Sequence, residues 1–237
     1  MAFEAFGFDT NPITRQQDMY RYITQMYQQA LRGTTTVGMV LRDYVILAAD
    51  KRATSGHYIA HKHVKKIVRI AENAAITTAG LVADAQALAD YLRAQSMYHK
   101  LSTGLPMSLR SMAYLLSLIL NEAKLYPYIV QLLLGGYDYY EGPKLYAIEL
   151  FGDVTEERYT ATGSGSPIAI GIIESEYRED LAVDEAIKLA VRAVVSASLR
   201  DAFSGEGVDV AIIGRDYYRE LTYSKQDIRQ LFGRALP

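Results

Sequence analysis

Three stretches of the chain carry side chains that could do chemistry. The first is "LRGTTTVGMV", Leu31–Val40, where a glycine precedes three threonine hydroxyls after 33 residues of a different character. Threonine is also β-branched and favours strands, so Thr34–Thr36 taken alone need only open one. The second is "HYIAHKH", with His57, His61 and His63. No cysteine or nearby carboxylate completes a metal-binding set there, and His61 and His63 alternate as residues on a strand face do, so no metal is expected. The third is "GSGSP", Gly163–Pro167, a turn rather than a phosphate loop because no Gly-Lys-Ser/Thr follows it.

Composition narrows the chemistry further. The absence of cysteine excludes disulfides, thiolate catalysis and cysteine-rich zinc sites. A net charge of −2 argues against a strongly electrostatic nucleic-acid binder. The most apolar run, "AYLLSLIL" (Ala113–Leu120), is far too short to cross a bilayer. The N-terminus has Glu4 where a signal peptide would carry basic residues, so the expected location is cytoplasmic.

The elements that must position any site follow from periodicity. In the first 33 residues, Met19, Tyr22, Ile23, Met26, Tyr27 and Ala30 recur at helical spacing, with Thr14 and Gln17 as a capping box and Gly33 as the stop. From Thr34 the period becomes strand-like. "TTTVGMVL" and "YVILAADKR" flank a turn at Arg42–Asp43, and "KKIVRI" and "AAITTAG" flank one at Glu72–Asn73. Two long helices follow, the second after Pro106, then the strands "YIVQLLLGGYD" and "KLYAIELF". After "YTATGSGSP" come a short helix, the helical run "AVDEAIKLAVRAVVSASLRDAF", the strands "VDVAIIG" and "RELTY", and a terminal helix from Lys225 to Phe232. The order ββββ, αα, ββ, αα, ββ, α groups strands instead of alternating them with helices. That favours antiparallel sheets packed together with helix layers outside, not a doubly wound parallel sheet.

The segments "RGTTTVG", "ILAADKRAT", "KKI", "TAGLVADAQ", "LLLGGYD", "GPKLY", "TATGSGSPIA" and "VRAVVSASLRDAFSGEGVDVAII" occur in this order. In them the chain from Thr34 onward resembles a proteasome β subunit, specifically the archaeal type, over essentially its whole length. The resemblance implies an N-terminal-nucleophile hydrolase: an α+β, four-layer αββα sandwich of two antiparallel sheets flanked by helices. Residues 1–33 would be a helical propeptide removed on maturation, and residues 34–237 the catalytic domain. Thr34 matches the nucleophile and Gly33 the residue before the autocleavage. Asp50 and Lys66 match the charge pair beside the threonine, and Arg52 a basic residue supporting it. Gly80 matches the amide donor to the oxyanion, while Ser164, Asp201 and Ser204 match the set orienting the threonine amine and water. Ala53, Thr54, Val64, Val68, Thr78 and Val82 match the substrate pocket. None of these is charged, so cleavage after apolar residues is expected.

The implied chemistry needs these residue types. A threonine hydroxyl is a weak nucleophile until a base takes its proton, and a free α-amine, titrating at about 7.7–8.0, can be that base. A positive Lys66 would disfavour amine protonation while Asp50 orients it. Before the cut the Thr34 nitrogen is an amide and cannot serve, so the precursor is latent. The resemblance also implies partners: heptameric β rings between α-subunit rings (α7β7β7α7), an ATPase regulatory ring and unfolded polypeptide substrates. It implies no cofactor, no nucleic acid and no membrane. Two alternatives stay open. One is a non-catalytic or maturation-dependent structural β subunit of the same ring. The other is a hexameric-ring bacterial threonine protease, against which the long C-terminal part with "VDVAII" and a final helix counts.

Overall fold

In the computed structural model, which describes residues 33–233 together with Gln17, Asp18, Arg21 and Thr24, the first hairpin forms where the period-2 pattern begins. The leader's apolar positions and its capping residue Thr14 lie outside the described residues; the four described there are helical. β1 (Thr36–Val40) and β2 (Tyr44–Asp50) pair antiparallel, closed by Leu41 N–H donating to the Tyr44 carbonyl at 2.7 Å. A short ribbon, β3 (Ala53–Ser55) and β4 (Tyr58–His61), precedes the hairpin of β5 (Ile67–Ala71) and β6 (Ala74–Gly80). Helices α1 (Val82–Thr103) and α2 (Leu109–Glu122) follow, then β7 (Val130–Asp138), β8 (Gly142–Ile148), β9 (Val154–Glu156) and β10 (Tyr159–Thr162). The chain continues through α3 (Ser166–Glu176), α4 (Val183–Ser198), β11 (Val208–Gly214), β12 (Tyr217–Tyr223) and α5 (Lys225–Phe232).

The strands form two five-stranded antiparallel sheets, β10-β1-β2-β11-β12 and β5-β6-β7-β8-β9. β2 shows why they stack. Val45, Leu47 and Ala49 point into a cluster between the sheets with Ile67, Ala75, Leu133 and Leu145. Ile46 and Ala48 point the other way, onto α4 residues such as Val191 and Val194. A strand covered on both faces reads as an unbroken apolar run, as "VILAA" does. On the outer face of the second sheet, Ile76, Leu132 and Leu134 pack against Leu88 and Leu92 of α1 and Met112 and Leu116 of α2. The result is the expected four-layer αββα sandwich. No helix among the described residues is long and apolar enough to cross a membrane.

Helix boundaries have identifiable causes. α2 starts at Leu109, not directly after Pro106, because the Ser108 hydroxyl accepts from Ser111 N–H at 3.1 Å. The buried Asp138 carboxylate also takes Leu109 N–H and, through its other oxygen, Tyr140 N–H in the β7–β8 turn. α5 has a complete capping box between Ser224 and Asp227. Four strands absent from the sequence expectation are the short ones, β3, β4, β9 and β10. β10 is the "YTAT" preceding the "GSGSP" turn, and it is a strand because Thr162 pairs with Thr36 of β1. The two sheets are also pinned by buried hydroxyls. Thr77 of β6 donates to Thr36 at 2.9 Å, and Thr36 bonds Thr162 at 2.7 Å.

Candidate active site

Antiparallel pairing brings the start of one strand beside the end of its neighbour, and the site is built from four such ends. Thr34 and Thr35 lead into β1, Asp50 ends β2, Lys66 immediately precedes β5, and Gly80 ends β6. Two backbone bonds hold these ends in place: Asp50 N–H to the Thr35 carbonyl (3.1 Å) and Thr78 N–H to the Lys66 carbonyl (2.9 Å). Stacking of the sheets then sets the first pair over the second.

Thr34, Asp50 and Lys66 meet inside the protein, each at most 5% exposed. The Thr34 hydroxyl donates to the Gly33 carbonyl at 2.6 Å. Lys66 Nζ lies 2.7 Å from Asp50 Oδ1, 3.0 Å from the Gly33 carbonyl oxygen and 3.1 Å from Thr34 Oγ1. Burial pushes the Lys66 ammonium below its ordinary pKa, because losing water penalises its charged form; the Asp50 carboxylate opposes this. Asp50 itself is fully satisfied. Oδ1 also accepts Thr35 N–H at 2.9 Å, and Oδ2 accepts the N–H groups of Arg52 (3.0 Å) and Gly205 (2.9 Å).

The remaining candidates surround this centre. Ser164 Oγ accepts Gly33 N–H at 3.2 Å and donates to Asp201 Oδ2 at 2.7 Å. Ser204 donates to the same Asp201 oxygen at 2.6 Å and bonds the buried Thr35 hydroxyl at 2.7 Å. Arg52 Nη1 donates to the Ala202 carbonyl at 2.7 Å. Gly80 borders a cavity of about 230 Å³ beside Thr34. Its φ is 108°, and an added Cβ would lie 2.2 Å from the Ile129 carbonyl oxygen, so no other residue fits there. Ala53, Thr54, Val64, Val68, Thr78 and Val82 all line the same cavity. Every candidate therefore falls in one continuous region. His57, His61 and His63 do not join it, and no group of metal-ligating side chains is found among the described residues.

Several participants escaped the sequence. Thr35 reads as a strand residue, yet its amide and hydroxyl tie Asp50 to Ser204. Gly205 supplies one of the Asp50 donors, and Gln131 of β7 accepts Gly163 N–H beside Ser164 at 3.2 Å. Glu206 pairs with Arg52 at 3.0 Å. Only the position of Gly205 and Glu206 directly after Ser204 in "SGEG" could have pointed to that pair.

A buried hydroxyl set against its own preceding carbonyl and a lysine has the parts for acyl transfer from Gly33 to Thr34 Oγ. Comparison with known proteins gives the family. The sequence model of the family described as "Proteasome subunit" matches residues 30–213. The chain is 56% identical over 200 residues to "Proteasome subunit beta 2" of Hyperthermus butylicus, covering 84% of this chain and 93% of that protein. It is 56% identical over 188 residues to the protein of the same name from Aeropyrum pernix (79% and 85% covered). With that of Ignicoccus hospitalis it shares 49% over 209 residues (88% and 98% covered). On the strength of this coverage and of the sandwich that carries the site, the chain belongs to the proteasome β-subunit family, of the archaeal type.

Proposed function

We propose that this chain is a catalytic β subunit: a threonine endopeptidase that cuts its own Gly33–Thr34 bond and then hydrolyses unfolded polypeptides with Thr34. The observation that carries this reading is the Thr34 hydroxyl, bonded at once to the Gly33 carbonyl and to a buried lysine whose pKa is lowered. Lys66 Nζ stands within hydrogen-bond reach of Asp50, the Gly33 carbonyl and Thr34 Oγ1, and its lowered pKa raises the share of the neutral form that can take the hydroxyl proton.

In the self-cleavage, Lys66 takes the proton from Thr34 Oγ, which attacks the Gly33 carbonyl carbon. The Lys66 ammonium then lies 3.0 Å from the oxygen that becomes negative. Proton transfer to the Thr34 nitrogen breaks the C–N bond and leaves an ester of Gly33 on Oγ. Water hydrolyses the ester, releasing the leader with a C-terminal glycine and freeing the threonine hydroxyl beside the amine already released. In substrate turnover the freed amine, a group that ordinarily titrates at about 7.7–8.0, is available as base. The Ser164–Asp201–Ser204 chain orients it, and the Gly80 N–H meets the oxyanion. The uncharged lining of the cavity favours an apolar side chain before the scissile bond. Residues 1–33 are then the propeptide, and the working particle stacks β rings between α rings, with an ATPase ring feeding unfolded chains, in the cytoplasm.

The test is to co-express the chain with its α partner and measure the mass, N-terminus and peptidase activity of the assembled β subunit. Cleavage should remove 33 residues and leave 204 (237 − 33) beginning at Thr34. Thr34→Ala should assemble, stay full length and cut no peptide. A wild type that assembles but remains full length and inactive would favour a structural ring subunit instead.

A further inference from the structure

Glu206 is the one non-glycine residue with positive φ (71°) among the described residues. It stands in "SGEGV" between Gly205 and Gly207, where another glycine would meet the backbone demand without strain. A side chain kept in such a conformation has compensating contacts, and these are specific. The Glu206 carboxylate, 12% exposed, accepts from Arg52 Nη2 at 3.0 Å and from Lys225 Nζ at 2.7 Å. The Lys225 side chain is 61% exposed, so that arm is screened by water. Arg52, at 18%, is the shielded arm.

Arg52 spans the loop that serves the site. Its Nη1 donates to the Ala202 carbonyl at one end, and its Nη2 holds Glu206 at the other. Between them lie Ser204 and Gly205, whose groups bond Thr35, Asp201 and Asp50. The guanidinium lies directly over Gly205: a Cβ there would be 2.6 Å from Arg52 Nη2. We propose that Glu206 is a positioning residue for the Thr34 reaction, clamping Arg52 across residues 202–206 so that Gly205 N–H and the Ser204 hydroxyl stay on Asp50 and Thr35. This rests on the nucleophile assigned to Thr34 above. Loosening the clamp releases one of the four donors that hold Asp50, and with it the placement of Lys66.

Four variants assembled with the α partner test the proposal: Glu206→Gly, Glu206→Asn, Glu206→Gln and Thr34→Ala. Glycine and asparagine accept the positive φ but cannot make the clamp; glutamine keeps the hydrogen bond to Arg52 without the charge. The readouts are self-cleavage by mass, kcat and KM on a fluorogenic peptide with an apolar residue before the cut, and the thermal midpoint. Glu206→Gly and Glu206→Asn should lower kcat and self-cleavage at least fivefold, since small misplacements of reacting groups are costly. KM should stay within about twofold and the midpoint within about 4 °C of wild type, relief of strain offsetting the lost pair. Glu206→Gln should recover part of the rate. A loss of kcat under fivefold in both Glu206→Gly and Glu206→Asn overturns the proposal. So does a loss in every Glu206 variant that simply follows a falling midpoint. If Glu206→Gly does not assemble, Glu206→Asn decides on the same threshold. Activity surviving in Thr34→Ala instead removes the nucleophile assignment itself, a separate failure.

Discussion

Replacing Asp50 by asparagine should destabilise the fold more than replacing Lys66 by methionine, although the two residues share one ion pair. Asp50 accepts two bonds on each oxygen: Thr35 N–H and Lys66 Nζ on Oδ1, Arg52 N–H and Gly205 N–H on Oδ2. An asparagine amide replaces one oxygen with a donor, so two N–H groups then face two N–H groups. Bonds to a charged acceptor contribute roughly 1.5–3 kcal/mol each, which puts the loss at roughly 3–6 kcal/mol. Methionine at 66 removes one bond to Asp50, roughly 1.5–3 kcal/mol, and one to the Gly33 carbonyl, roughly 0.5–1.5 kcal/mol, and leaves the carboxylate with three backbone donors. Its unbranched chain also fills much of the lysine's space. Against a total stability of about 5–15 kcal/mol, the first change threatens assembly and the second does not. Urea unfolding of both variants in a Thr34→Ala background, where self-cleavage cannot intervene, measures the difference. Equal midpoints and slopes would refute the argument, because the ion pair and not the backbone cradle would then be the main role of Asp50. In the native Thr34 background, Lys66→Met should assemble uncut, and processing at the wild-type rate would remove Lys66 as the base.

The lowered pKa of Lys66 carries a sign. Its neutral form, the one able to take the Thr34 proton, grows as pH rises through a value below the ordinary 10.5. Self-cleavage followed by mass spectrometry should therefore accelerate with pH and level off before about 10.5; a rate independent of pH would contradict Lys66 as base. Ala53→Phe should fill part of the 230 Å³ cavity beside Thr34. Cleavage after large apolar residues should fall about tenfold in kcat/KM relative to small ones. Self-cleavage should persist, since Gly33 presents no side chain, and unchanged peptide selectivity would show that the cavity is not the specificity pocket.

Much of the architecture was legible because its signals are local. The apolar runs of β1, β2, β6 and β7 and the periodic apolar positions of α1, α2 and α4 are each long enough to mark an element. α5 runs from Lys225 to Phe232, where the sequence also places its terminal helix. The short strands were not legible, since three or four residues carry too little period and become strands only by pairing. β10 is the case with a consequence: "YTAT" gives no warning that it will seat Thr162 against Thr36 and bring Ser164 beside Gly33.

The site divides in the same way. Sequence alone, through the resemblance of its motifs, nominated Thr34, Asp50, Lys66 and the lining of the cavity, because the chemistry restricts which side chains can stand at those positions. Tertiary structure decided what surrounds them. The Asp50 donors come from Thr35, Arg52 and Gly205, and the strained Glu206 reaches back to Arg52 across 154 positions of chain. A backbone N–H carries no identity in a sequence, and a positive φ at a glutamate leaves no pattern. Folding alone makes these groups donors and clamps, by stacking two sheets so that strand ends distant along the chain share one buried carboxylate.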